Sequence, residues 1–374
     1  MLFPSGYDNI LPILTSTAFQ KKGCMRKISS NDHEFIPFIQ ASVRMVGLVL
    51  ALLSVFTTLL ILGPSLSFKA AAIDPSQVTI PWKAPDIKTI PNDDAGRRIS
   101  YGRELIVNTA HYLGPNGTVS KMSNGMNCQN CHLDAGTRLF GNNFSAVAST
   151  YPKYRPRYGS IESIEKRVND CLERSLNGLA LDSTSYEMRA FVAYLEWVGK
   201  DVKKGVTPNG SGGRPLPYLD RVTNPENGKL IYDQKCALCH GSQGQGLLKG
   251  DSSSWLNPPL WGERSYNVGA GLYRLSRFAE FVKSNMPFGS VIDTPQLSDE
   301  EAWDLAAYVN SMPRPGMNLD KDWPDISKKP PDYPFGPFTD SFSTEQHKYG
   351  PFNPILEAQK KLKEDQEKKS GDRE

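Results

Sequence analysis

At 374 residues and a formal charge of +3, the chain is long enough for two domains. It is too evenly charged to read as a nucleic-acid binder or as a protein held on a strongly anionic membrane surface. Its 39% apolar content and mean hydropathy of −0.43 fit a soluble, exported protein with one hydrophobic segment.

Residues 1–72 read as an N-terminal segment. Lys21, Lys22, Arg26, Lys27 and Arg44 precede an apolar run over 45–62, closed by Gly63 and Pro64. The run is long for the core of a signal peptide cut near Ala70-Ala71-Ala72, and barely sufficient for a retained anchor. Residues 73–95, with Pro75, Pro81, Pro85 and Pro91, read as a linker.

Residues 96–205 make the first of two expected domains. A helix is expected over 97–112 and a Gly/Asn/Ser-rich loop over 115–127. The loop leads into Cys128-Gln129-Asn130-Cys131-His132. This is C-x-x-C-H, the attachment signature of c-type haem. Two thiols three apart on a tight turn reach the two vinyl groups of one porphyrin, and the histidine that follows lies under the iron. A zinc ribbon also uses paired C-x-x-C, but does not ask for a histidine directly after each pair. Ile161, Ile164, Val168, Cys171 and Leu172 fall on one face of a helix expected over 161–175. Another helix is expected over 184–198, opened by a Thr184/Glu187 capping box.

Residues 206–219 read as a Gly/Pro-rich linker, and 220–316 repeat the plan. A helix containing Asn227 to Tyr232 runs into Cys236-Ala237-Leu238-Cys239-His240, a second C-x-x-C-H. A Gly-rich loop over 241–250 follows, then helices around 271–284 and over 298–310, the last with a Ser298/Glu301 capping box. Aligning Tyr194 with Tyr308 also brings Glu187 onto Glu301 and Thr184 onto Ser298. The fold class expected is therefore mainly α: two tandem cytochrome c-type haem domains with an irregular C-terminal extension. Residues 317–374 supply that extension, Pro- and aromatic-rich at first and charged over 357–374, where fraying is expected.

Two covalently bound haem c groups are thus the expected cofactors. Because c-type haem is attached outside the cytoplasmic membrane, a periplasmic location is expected, with residues 45–62 as a possible anchor. Opposite His240, Met286 lies 46 residues after the motif histidine and suits a distal thioether, which raises a haem potential. Met312 and Met317 compete, and the ordinary alternative is a core methionine. The first domain has no methionine in the matching place. It has Cys171, 39 residues after His132. Met122 and Met126 stand too near the attachment site, Met188 belongs to the closing helix, and His111 is an unplaced competitor. A thiolate ligand would lower the potential; the ordinary alternative is an inert buried thiol. Lys153, Arg155, Arg157, Lys166, Arg167 and Arg174 surround this cysteine, with Arg167 and Ser175 four residues to either side of it. Such a cluster is usually a solvated face. Held toward the haem it becomes an oxyanion site, since a guanidinium binds oxyanions bidentately. Together these features point to redox chemistry on a small sulfur oxyanion.

The run from Tyr154 to Gly178, the segment Asn285-Met286-Pro287-Phe288-Gly289 and Gln346-His347-Lys348-Tyr349-Gly350-Pro351-Phe352 resemble the dihaem thiosulfate dehydrogenase/tetrathionate reductase family. The resemblance spans about 96–355. It implies coupling of two thiosulfates to tetrathionate with release of two electrons, or the reverse. It also implies a His132/Cys171 active-site haem, substrate contacts from Arg157, Arg167 and Ser175, and a His240/Met286 relay haem. The implied electron acceptor is a periplasmic or membrane-bound carrier such as another cytochrome c. Some members carry a lysine before the methionine that can replace it as ligand; Asn285 excludes that here. The alternatives are a dihaem electron-transfer subunit of a membrane redox complex, which Cys171 argues against, and a redox sensor, for which the chain offers no signalling domain.

Overall fold

The computed structural model describes residues 35–62, 82–250, 254–289 and 293–371. Cys24, the basic residues before position 35, the expected cleavage region and the first part of the 73–95 linker lie outside them. The first of two compact units, Met1–Asp74, contributes helix α1 (Phe35–Leu62), on which Val43, Met45, Leu48 and Leu52 are exposed. Among the described residues no helix is long and apolar enough to cross a membrane.

The second unit, Pro75–Glu374, holds both C-x-x-C-H motifs. Helix α2 (Asp94–Val107) begins where the Asp93 carboxylate accepts the Gly96 N–H at 2.8 Å, pairing one of the amides that a helix start leaves open. It is followed by α3 (Thr109–Leu113), then by the single turns α4 (Leu133–Gly136) and α5 (Val147–Thr150) after the first motif. An antiparallel hairpin, β1 (Lys153–Arg155) with β2 (Ser160–Glu162), leads into α6 (Ile164–Arg174) and α7 (Tyr186–Val198). The second half runs α8 (Pro225–Lys235), α9 (Ala237–His240), a two-stranded ladder of β3 (Leu247–Leu248) and β4 (Trp255–Asn257), α10 (Leu275–Asn285) and α11 (Asp299–Ser311). The C-terminal extension adds α12 (Thr344–Tyr349) and α13 (Asn353–Gly371).

The internal repeat is visible as one packing device used twice. Helices α2 and α7 cross at Gly102, where an added Cβ would lie 2.0 Å from the Ala190 carbonyl oxygen and 2.7 Å from the Tyr194 Cβ. Helices α8 and α11 cross at Gly228, where it would lie 2.0 Å from the Asp304 oxygen and 2.8 Å from the Tyr308 Cβ. Only glycine permits backbones this close. Around the crossings, Leu105, Phe191 and Tyr194 in one half and Tyr232, Trp303 and Leu305 in the other are buried.

The capping box at Ser298 and Glu301 is present, with both reciprocal bonds at 3.0 and 2.8 Å. The one expected at Thr184 is not. Asp182 captures the Thr184 amide at 2.8 Å, so the helix starts one residue later with Ser185 as its cap, accepting from the Met188 N–H. Glu187 instead accepts from the Tyr101 hydroxyl. The helix expected from 161 begins at Ile164, because Ile161 pairs with Tyr154 in the hairpin and is 72% exposed. The tail expected to fray over 357–374 is helical through Gly371. Its base is fixed by buried Phe352 and Ile355, and Lys360–Glu364 and Lys363–Glu367 pair one turn apart.

Candidate active site

The sequence around each motif positions its histidine in the same way. The His132 Nδ1 lies 2.5 Å from the Asn142 carbonyl oxygen, and the His240 Nδ1 lies 2.8 Å from that of Pro258. A carbonyl can only accept, so Nδ1 carries the proton in both rings and the Nε2 lone pair is left for a metal. Burial lowers the His240 pKa, which favours the neutral, ligating form. Phe144 lies against the His132 ring, centroids 4.6 Å apart.

In the second domain a cavity of about 500 Å3 is lined by Cys236, Cys239, His240 and Met286, with Phe278 and Leu305 among its apolar walls. Thiols, an imidazole and a thioether around a largely apolar slot of this size are the donor set a haem c with His/Met ligation requires. Met286 is the residue that ends α10. Its neighbour Asn285 is buried and donates to the Phe140 and Phe281 carbonyls, both at 3.0 Å. Met126, Cys131 and Leu133, from the first attachment loop, line the same cavity, so the two haem sites share a wall.

In the first domain α6 presents Cys171 to the motif. The Cys171 sulfur stands close enough to the His132 ring to feel its charge, so the two residues proposed to hold the first iron lie together. Burial pushes the Cys128 and Cys131 thiols up to about 12. For Cys171 burial acts in the same sense, but the Arg167 guanidinium and the His132 ring outweigh it and bring the thiol down to about 7. The attraction is mutual: the Cys171 sulfur is the largest influence on Arg167, raising its pKa. A thiol poised to ionise beside an arginine fits an iron ligand and a sulfur nucleophile.

Arg157 comes from the turn between β1 and β2. Its NH1 group donates to the Gly269 carbonyl at 3.1 Å, and its side chain is 11% exposed. Burial, then Arg174, lower its pKa. Arg157 and Arg167 stand within electrostatic reach of each other, and Ser175 caps the C-terminus of α6 one turn beyond Cys171. The structure therefore brings Cys171, Arg167 and His132 together, with Arg157 and Ser175 at the margin.

Three participants were not evident from spacing. Asp322 forms a two-pronged ion pair with Arg174, at 2.9 and 2.7 Å, across 148 residues of sequence. Tyr158 accepts from the Arg174 Nε at 3.0 Å and donates to Asp170 at 2.8 Å. Glu162 is 2% exposed, with neither carboxylate oxygen hydrogen-bonded and the Arg155 Nε 3.7 Å away. Asp322 reaches the cluster from the C-terminal extension, for which local sequence carries no signal.

Two haem c sites in tandem, one with a cysteine facing its motif histidine and arginines beside it, define a dihaem c-type cytochrome built for chemistry on an anion. Residues 118–203 match the SoxA/TsdA cytochrome c domain, and 225–313 match the cytochrome c family. A thiosulfate dehydrogenase of Psychrobacter arcticus is 40% identical over 245 residues, 65% of this chain and 71% of that protein. Another, from Allochromatium vinosum, is 36% identical over 241 residues, 63% of this chain and 86% of that one. Among solved structures, the thiosulfate dehydrogenase TsdBA from Marichromatium purpuratum matches with a TM-score of 0.58 and 31% identity. That match covers 63% of this chain and half of that one. The chain belongs to the thiosulfate dehydrogenase family, and is an oxidoreductase of thiosulfate carrying covalently bound haem c.

Proposed function

We propose that the enzyme joins two thiosulfates into tetrathionate at the first haem and passes the two electrons through the second haem to a carrier protein. The observation that carries this reading is Cys171, turned to the His132 ring with Arg167 against its sulfur. The irons, once bound, supply one-electron acceptance at two sites; the chain's residues do the rest. Arg157 and Arg167 offset the repulsion between two dianions, and Ser175 adds a hydroxyl on the same helical face. The Cys171 thiolate forms a sulfur–sulfur bond with the outer sulfur of one thiosulfate, releasing two electrons. The outer sulfur of the second thiosulfate then attacks that bond and displaces the Cys171 thiolate, and tetrathionate leaves. Cys131, which would hold the first haem, also lines the cavity that would hold the second, a shared wall that would suit electron exchange between the two groups. His240 and Met286 would hold the second iron, where a thioether ligand would supply a raised potential.

This reading carries export with it, since haem c is attached outside the cytoplasmic membrane; the apolar, exposed α1 would serve as the leader. The covalent step is tested with Cys171→Met, which keeps a sulfur ligand but cannot form the sulfur–sulfur bond. Loss of tetrathionate production with both haems still attached is expected. Full turnover by the variant would overturn the step.

A further inference from the structure

The basic residues near Cys171 in the sequence are not equivalent in the structure. Lys166 pairs with Asp170 and Arg155 faces Glu162. Arg174 is held by both oxygens of Asp322, with the two side chains 6% and 4% exposed. Arg157 lies beside this pair, but its Nε is 3.9 Å from Asp322, so its own hydrogen bond goes to the Gly269 carbonyl that Arg174 also approaches, at 3.3 Å. Two buried guanidinium groups therefore sit on one carbonyl, and the carboxylate of Asp322 is what offsets their repulsion. The backbone reinforces the arrangement. Trp323 donates its N–H to the Arg157 carbonyl at 2.6 Å from a left-handed conformation (φ 61°), and its ring lies 5.9 Å from the Arg157 guanidinium. Tyr333 adds a hydroxyl to Asp322 at 3.4 Å.

We infer that Asp322, supplied by the C-terminal extension, is the positioning residue for Arg157: by engaging Arg174 with both oxygens and reaching Arg157 only at 3.9 Å, it lets Arg157 rest on Gly269 with its charge partly offset and available to a dianionic substrate. The inference rests on the proposed reaction and deepens it. It explains why two arginines, Arg157 and Arg167, serve the anion while Arg174, the most fully paired of the cluster, does not. It also gives the extension, which neither matched domain covers, a part in substrate binding.

Two effects of removing Asp322 oppose each other. Deleting a negative charge near the site would by itself tighten anion binding and lower KM. Releasing Arg174 to repel Arg157 displaces the binding arginine and raises KM. With a buried, two-pronged pair, geometry dominates. In the full, haem-loaded protein, Asp322→Asn is expected to raise the KM for thiosulfate about tenfold, equivalent to about 1.4 kcal/mol, with kcat per haem within about threefold of the parent. Asp322→Glu, which keeps the carboxylate, is expected to recover most of the loss. Arg174→Lys, which keeps the charge but loses the fork, is expected to match Asp322→Asn and stands in for it if that variant does not take up haem. A purely structural role would leave KM at the parent value and lower only the active fraction, because KM does not depend on enzyme concentration. An unchanged or lowered KM, or equal defects in Asn and Glu variants, overturns the inference. Absence of thiosulfate-dependent turnover in the parent would instead overturn the functional reading beneath it.

Discussion

Replacing Gly228 with alanine isolates the device on which the second haem domain depends. On helix propensity alone the change stabilises, since alanine exceeds glycine by about 1 kcal/mol in a helix interior. The crossing with α11 reverses the sign. The new methyl would lie 2.0 Å from the Asp304 oxygen, 2.6 Å from its carbonyl carbon and 2.8 Å from the Tyr308 Cβ. Two of these three atoms are backbone, which no rotamer change can move, so α8 and α11 must separate by roughly 1 Å or more to restore ordinary contact. Overpacking of this kind costs up to about 3 kcal/mol, leaving a net loss of about 2 kcal/mol. That corresponds to a fall of about 3 °C in the thermal midpoint of a unit this size. Because α11 supplies Leu305 and Val309 to the cavity that Met286 also lines, the spectrum of the second haem should change before that of the first. Thermal unfolding followed at haem absorbance, beside far-ultraviolet circular dichroism, measures both. A midpoint equal to or above the parent would refute the packing argument, as propensity would then have won.

Other consequences are open to direct test. Arg167→Gln removes the charge that acts most on Cys171 and should lower kcat/KM for thiosulfate about 30- to 100-fold, the value of a charged hydrogen bond or two, with both haems still attached. Met286→Leu should lower the second haem's midpoint potential by on the order of 0.1 V, within the roughly 0.8 V that axial ligands control, as read by spectroelectrochemical titration; an unchanged potential would remove Met286 as ligand. Glu162→Gln should stabilise the fold at neutral pH. Burial, then Asp170, raise the Glu162 pKa above 4.5, so the parent loses stability as pH rises from the unfolded value through the folded one. The advantage of the variant should therefore grow over that window and vanish below it, as denaturant titration at several pH values would reveal.

What could be read in the sequence was whatever is encoded over a few residues. The two haem motifs, the Ser298 box and the Tyr194/Tyr308 correspondence all have short-range signals, and Cys171 stood out because its place in the repeat matches that of Met286. The Thr184 box failed because Thr184 and Ser185 compete for the same cap, and Asp182 decides between them through its bond to the Thr184 amide. The helical period of apolar residues runs back to Ile161, but pairing with Tyr154 places that residue in a hairpin. The basic cluster was visible as a cluster, but not its division of labour. Which arginine is neutralised depends on Asp322, brought from the extension by folding, and no local pattern announces a contact across 148 residues.

The central claim is that a cysteine-ligated haem with adjacent arginines couples thiosulfate to tetrathionate. The most direct test is thiosulfate-dependent ferricyanide reduction by the haem-loaded protein and by Cys171→Gly, with tetrathionate assayed as product and then offered as oxidant. Turnover with stoichiometric tetrathionate in the parent, abolished in the variant while both haems remain attached, is the predicted result. Equal turnover in the two proteins, or none in the parent with both haems intact, would contradict it.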